Sequence, residues 1–321
     1  MIPNLRTLPR RHLTFGIEGV VKSVELVDVK TGIVERRIDT FKNIITDAGL
    51  DAIGNGTQIG SLVNYLAVGT GSTTPAVSQT TLDTQLGARY NANGGFADVV
   101  SSEASYAYWE LERTRVIPTT DGNGNLTELA LFSAATSGTM WMRQLFRDEV
   151  GDPTTIVKQS TQQLRVTYAW RIYPTLTAGT SNIVIDGVAT TCSERAMQVD
   201  DANEWGSGGL LTRLGEWSAL TANCRAYETD TIPTTTGGAL TGTYAAASSA
   251  SYAAYVNGDF YRDILMVWEP SVANHATGIG SIGFTIKGNG VQCLSTQFTP
   301  KVAKTDTKRF SYTARISWGR V

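Results

Sequence analysis

Arg165-Val166-Thr167-Tyr168-Ala169-Trp170-Arg171-Ile172-Tyr173 alternates in character residue by residue. Val166, Tyr168, Trp170 and Ile172 fall on one side of an extended chain, and Arg165, Thr167, Ala169 and Arg171 fall on the other. That period of two predicts a β-strand with one face in a core and one facing water or a neighbour. The end of the chain does the same, with Phe310, Tyr312, Ala314, Ile316 and Trp318 alternating with Ser311, Thr313, Arg315 and Ser317.

The two strands close a longer similarity at a shift of about 150 residues, as an internal duplication produces. Trp109 to Pro118 lies over Tyr261 to Pro270, ending in a shared proline. Leu129-Ala130-Leu131-Phe132 lies over Ile282-Gly283-Phe284-Thr285, and Gln144-Leu145-Phe146 over Thr296-Gln297-Phe298. At the front, Val24 to Val29 and Ile33 to Ile38 flank Lys30-Thr31-Gly32, where Gly32 supplies the left-handed residue of a hairpin turn. One helix follows in Asn43 to Gly54: Thr46 caps it, Asp47 suits its positive end, Leu50 and Ile53 share a face, and Gly54 closes it. Elsewhere short strands are parted by Gly, Ser, Thr and Asn. The sequence therefore predicts a mainly β protein of two tandem antiparallel β-sandwich domains, with an N-terminal hairpin and one short helix. Residues 1–176 would hold the N-terminal arm, hairpin, helix and first sandwich, and residues 177–321 the second. The Gly/Ala/Ser/Tyr-rich stretch Thr234 to Asn257 reads as a long mobile or partner-ordered loop.

The 321 residues suffice for two cores at roughly 150 residues per domain. Acids number 29 and bases 27, a net charge of -2, without the basic excess that binding along a phosphate backbone requires, so no nucleic-acid partner is expected. Charged residues make up 17% of the chain, against roughly 25% in ordinary soluble proteins, and the surface must be hydroxyl-rich instead. No apolar run approaches the roughly 20 residues that span a bilayer, so no membrane insertion is expected. The start, Met1 to Phe15, has bases without a following apolar segment, which predicts synthesis in a cytoplasm without export by the usual signal. Cys192, Cys224 and Cys293 cannot all pair and show no C-x-x-C spacing, so they read as reduced, buried thiols.

No catalytic, cofactor or metal residue is predicted. The only histidines are His12, in a basic arm with Arg6, Arg10 and Arg11, and His275, in a loop after Pro270. Neither has the partners of a nucleophilic triad or a zinc site. Glu110 and Glu112 share one side of a strand, as paired carboxylates would, but their interleaving with Arg113 and Arg115 reads as the ionic outer face of a sheet. Asp121-Gly122-Asn123-Gly124-Asn125 opens like a calcium loop, yet Leu126 stands where Gly is needed and Phe132 where a bidentate Glu is needed; it reads as a hairpin tip. Gly69-Thr70-Gly71-Ser72 lacks the third glycine of a dinucleotide fingerprint, and no helix pattern follows it. Trp141, Trp170, Trp205, Trp217, Trp268 and Trp318 lie in or near apolar runs and read as core; the alternative is a sugar-stacking platform, with Trp205 and Trp217 as its candidates.

Asn43 to Leu50 (N-I-I-T-D-A-G-L), then Leu66 to Pro75 (L-A-V-G-T-G-S-T-T-P), Thr81-Leu82, and Leu131-Phe132 through Gly138 to Arg143 and Phe146 follow one another in order. This succession resembles a class of bacteriophage virion proteins comprising tail-fibre, baseplate and tail-collar components, over residues 43–173. The resemblance implies assembly in place of chemistry. The expected function is structural, in the tail, collar or fibre-attachment apparatus of a virion, through oligomerisation and connection of neighbouring parts. Expected partners are copies of the chain itself, as a trimer or ring, and other virion structural proteins, with the N-terminal arm reaching a neighbour. A host-receptor or glycan-binding module of the tail is the alternative, a host surface glycan being its partner.

Overall fold

The computed structural model describes the chain apart from residues 1–3, 6–10, 104, 106, 207, 218–220 and 287–293; of residues 4, 5, 11 and 12 only the backbone is described. Arg6, Arg10, Cys293 and the side chains of Arg11 and His12 therefore lie outside the described residues, although strand backbone begins by Arg11. Strand accounts for 48% of the chain and helix for 6%, arranged in several antiparallel sheets, so the protein is mainly β and of β-sandwich type. It forms two compact units, each discontinuous in sequence. One comprises residues 17–102, 109–172 and 320–321, and the other residues 1–16, 103–108 and 173–319.

In the first unit the alternating stretch lies in the strand Gln162–Tyr173, which pairs with Trp109–Ile117, setting Tyr168 opposite Arg113 and Trp170 opposite Leu111. Val166, Tyr168, Trp170 and Ile172 are all buried. The second sheet runs in the order Ile44–Ile45, Met140–Leu145, Glu128–Phe132, Tyr65–Gly69 and Gln85–Tyr90. Trp141 on that sheet donates its indole N–H to the Tyr168 hydroxyl at 2.9 Å, tying the two layers inside the core.

The other unit repeats this plan. Arg309–Arg320 pairs with Tyr261–Trp268, which pairs with Ser249–Tyr252. The other sheet places Val188–Ala196, Leu294–Val302, Ile279–Phe284, Cys224–Tyr227 and Tyr244–Ala246 in the same order, with Gly179–Ile185 added outside. Tyr312 holds the place of Tyr168: its buried hydroxyl meets Thr296 of the other sheet at 2.8 Å, and Phe298 packs edge-on against its ring. The stretches that the sequence sets over one another thus occupy matching positions in the two units.

Local elements follow from their residues. Gly32 takes φ +73 in the first hairpin turn, and the Asp28 carboxylate accepts from the backbone N–H of Lys30 and Thr31 and from the Thr31 hydroxyl. The helix is Asp47–Gly54, with Thr46 as its N-cap accepting from Gly49 N–H at 3.0 Å, a contact worth about 1 kcal/mol. Gly54 stays inside the helix, the C-cap being Asn55 and the left-handed residue Gly56. Two single-turn helices, Ile59–Leu62 and Leu210–Arg213, accompany it where one helix alone was expected. They are too short to carry a periodic signal. The stretch expected as a long mobile or partner-ordered loop contains the strands Tyr244–Ala246 and Ser249–Tyr252, each added to a sheet by backbone pairing that small side chains do not hinder.

Candidate functional site

The residues of the N-I-I-T-D-A-G-L, L-A-V-G-T-G-S-T-T-P and L-F…R…F stretches converge on the strands Glu128–Phe132 and Met140–Leu145. The Thr46 hydroxyl donates to the Met140 carbonyl at 2.5 Å, and Gly49 lies so close to Trp141 that a Cβ there would meet its ring. Leu82 packs with Ala67, Ala130, Phe132 and Met140. Arg143, 1% exposed, donates from Nε to Glu128 at 2.7 Å, from Nη2 to Asp83 at 2.7 Å, and from Nη1 to Gln79 and the Thr73 carbonyl. The fully buried Glu128 in turn accepts from the backbone N–H groups of Gly71, Asp83 and Thr84. Hydrogen bonds from Thr73, working against burial, hold the Asp83 carboxyl below its usual range, with Arg143 adding to the effect. Glu128 and Asp83 escaped the sequence reading, which had no means to pair them with Arg143.

This clamp explains the two glycines of G-T-G. A Cβ on Gly71 would overlap Asp83 and crowd Glu128 Oε1, and one on Gly69 would overlap the Thr84 carbonyl. Gly71→Ala is therefore expected to cost about 1–3 kcal/mol by forced displacement of the clamp. Gly179→Ala, where the space is open, should stay within about 0.5 kcal/mol. Paired thermal denaturation curves check the difference.

Glu110 and Glu112 do share a face, but their partners are Lys22, at 3.0 and 3.1 Å, and for Glu110 also Arg171 at 2.6 Å. Glu18 extends the network to Arg171 and Lys42. Burial alone would push the Glu110 carboxyl up; hydrogen bonds from Arg171 and Lys22 outweigh it and hold it low. The expected ionic face with Arg113 and Arg115 is corrected here: odd and even residues of a strand point to opposite faces, so these arginines lie on the other side.

The Asp121 loop does hold a cation, supplied by the chain itself. Lys158 Nζ donates to the carbonyls of Pro118 and Asp121 at 2.8 Å and to Asn123 Oδ1 at 2.7 Å. Gly124–Leu126 leaves the turn as a strand paired with Ile156–Lys158, so the segment is a turn feeding a strand and not a hairpin tip. The second unit repeats the arrangement, with Lys304 Nζ donating to Glu269 and Pro270 carbonyls and to Asn274 Oδ1. His275 lies in a loop, its Nε2 3.1 Å from the Ala226 carbonyl oxygen. Trp141, Trp170, Trp205 and Trp268 are fully buried and Trp318 nearly so, which removes Trp205 as a stacking platform. Trp217 is half-buried against Tyr252 and Trp318. Cys192 and Cys224 are buried, and burial pushes the Cys224 thiol up to about 12.

A polar cleft of about 560 Å³ opens on the face that carries Arg113 and Arg115. Both arginines come from Trp109–Ile117; Asn64 follows the single-turn helix Ile59–Leu62, and Asn91, Asn93 and Asp98 come from the loop between Gln85–Tyr90 and Val99–Ser102. Arg113 grips Asp98 through Nε and Nη2, reaches the Gly60 carbonyl at 2.8 Å and Asn64 Oδ1 at 3.1 Å, and sits 5.3 Å from the Trp170 ring centroid. Arg115, 8% exposed, has neutral oxygens as its hydrogen-bond partners: the Asn64 carbonyl at 2.6 Å, the Thr114 carbonyl at 2.9 Å and Asn64 Oδ1 at 3.5 Å. Burial, then repulsion from Arg113, pulls its guanidinium down to about 10. Two guanidinium groups thus face one carboxylate. No protein-family model, curated protein or solved structure matches this chain.

Proposed function

We propose that the chain is a structural component of a bacteriophage virion, in its tail, collar or fibre-attachment apparatus, and that it works by self-association and by joining neighbouring virion parts. The observation that carries this reading is apolar side chains displayed on hairpins. Val29, Ile33 and Val34 around the first hairpin turn are 53%, 61% and 43% exposed. Val184 and Val188, either side of the Asp186-Gly187 turn, are 68% and 51% exposed. Branched aliphatics at such tips cost free energy in water and gain it when another protein surface covers them. A surface poor in charge lowers the desolvation cost of that cover. The convergence of the motif residues on a satisfied buried clamp adds support, since it gives the resemblance an architectural meaning.

Light scattering of the purified chain should return a mass of several chains, a trimer or ring by symmetry. Ile33→Asp with Val184→Asp should shift that mass toward one chain without changing the far-ultraviolet spectrum. A monodisperse monomer at high concentration, together with intact particles assembled in the absence of this chain, would overturn the proposal.

A further inference from the structure

We propose that the cleft formed by Asn64, Asn91, Asn93, Asp98, Arg113 and Arg115 binds an acidic saccharide unit, its carboxylate seated on Arg115 and its hydroxyls on the carboxamides and Asp98. The charge count asks for an anion: two guanidinium groups stand against the one carboxylate of Asp98, which is hydrogen-bonded to Arg113, while the hydrogen-bond acceptors of Arg115 are neutral oxygens. Its planar fork is held by Asn64 and by its own strand, so a carboxylate meets donors that are already oriented and largely dehydrated.

The other groups ask for hydroxyls. Asn64 turns its carboxamide oxygen to the arginines, and Asn93 gives its own to Gly95 N–H at 3.1 Å, so each directs an N–H₂ donor elsewhere. The exposed Asn91 offers both donor and acceptor, and Asp98 offers acceptor capacity beside it. A sugar hydroxyl both donates and accepts, and so matches this mixture. Inorganic phosphate presents acceptor oxygens almost alone and so leaves the acceptor oxygens of Asp98 and Asn91 without donors. This inference stands independently of the virion reading, because it rests on the isolated chain.

Titration of the full chain with glucuronate, galacturonate and N-acetylneuraminate, beside glucose and inorganic phosphate at matched ionic strength, tests it. At least one acidic sugar should saturate with a dissociation constant on the order of millimolar or below, the range open to ligands of about one to two dozen heavy atoms. Glucose and phosphate should bind at least about tenfold more weakly, since each lacks one half of the recognised chemistry. Asn91→Ala, an exposed change, should weaken the acidic sugar about threefold or more with an unchanged melting temperature. Arg115→Gln should abolish the preference for the acidic sugar over glucose; if that variant does not fold, Asn91→Ala and the ligand series decide alone. Equal binding of glucose, equal binding of phosphate, or no saturation by any acidic sugar at about ten times the expected constant would each overturn the proposal.

Discussion

Arg143→Met is expected to lose about 3–5 kcal/mol of stability, because it leaves Glu128 buried without its counter-charge. Glu128 is fully buried and its other partners are backbone N–H groups of the segment around Gly71 and Asp83. The loss should appear in denaturant unfolding as a lower midpoint for the first unit. Adding Glu128→Gln to Arg143→Met should recover part of the loss, since an uncharged amide costs less to bury than an orphaned carboxylate. Arg143→Lys should fall between, as one ammonium cannot reach Glu128, Asp83, Gln79 and the Thr73 carbonyl together. A loss below about 1 kcal/mol for Arg143→Met would show that the clamp is a surface-like pair of little weight.

Lys158→Met is expected to cost about 2–3 kcal/mol at neutral pH, because three oxygens lose their charged donor at once. Its pH dependence reports the penalty of burying that charge. Burial draws the Lys158 ammonium down to about 8, the nearby Asp121 offsetting only part of that. Between about pH 8 and 10.5 the unfolded chain therefore holds this proton more tightly than the folded one, and stability rises with pH through that window. The parent protein should gain stability there relative to Lys158→Met, so the gap between them widens. A gap that stays constant from pH 7 to 10.5 would assign the lysine a packing role only. Tyr90 acts in the opposite sense and higher up: its hydrogen bond to Asp121, with burial, pushes its hydroxyl up to about 12, and that stability is lost as pH rises from 10 toward 12. Comparing the variant with the parent at each pH cancels this contribution.

Much of the site chemistry was written in the chain but in a form that sequence order hides. Arg113 and Arg115 differ in parity from Glu110 and Glu112, so their separation onto opposite faces was legible from strand period alone. That Arg115 would lie in a cleft with three asparagines was not, since Asn64 and Asn91 reach it from different loops. Likewise Asp121 to Asn125 displayed the oxygens of a cation site, while the cation, Lys158, arrives from a strand more than thirty residues later. The Trp205 and Trp217 pair shows the limit from the other side, because neighbouring residues of the same type take different exposures once loops and sheets close over them.

By itself the sequence determined what depends on neighbours along the chain: the alternation of Arg165 to Tyr173 and of Phe310 to Trp318, the Gly32 turn, the Thr46 cap and the repeated pattern that the two units share. The pairing of distant groups, Glu128 with Arg143, Lys158 with Pro118 and Lys304 with Pro270, and the assembly of each unit from separated segments arise from the folded arrangement alone. The reason is physical. Backbone preference and strand period are local properties, whereas a buried charge is acceptable only beside a partner that the fold must bring from elsewhere.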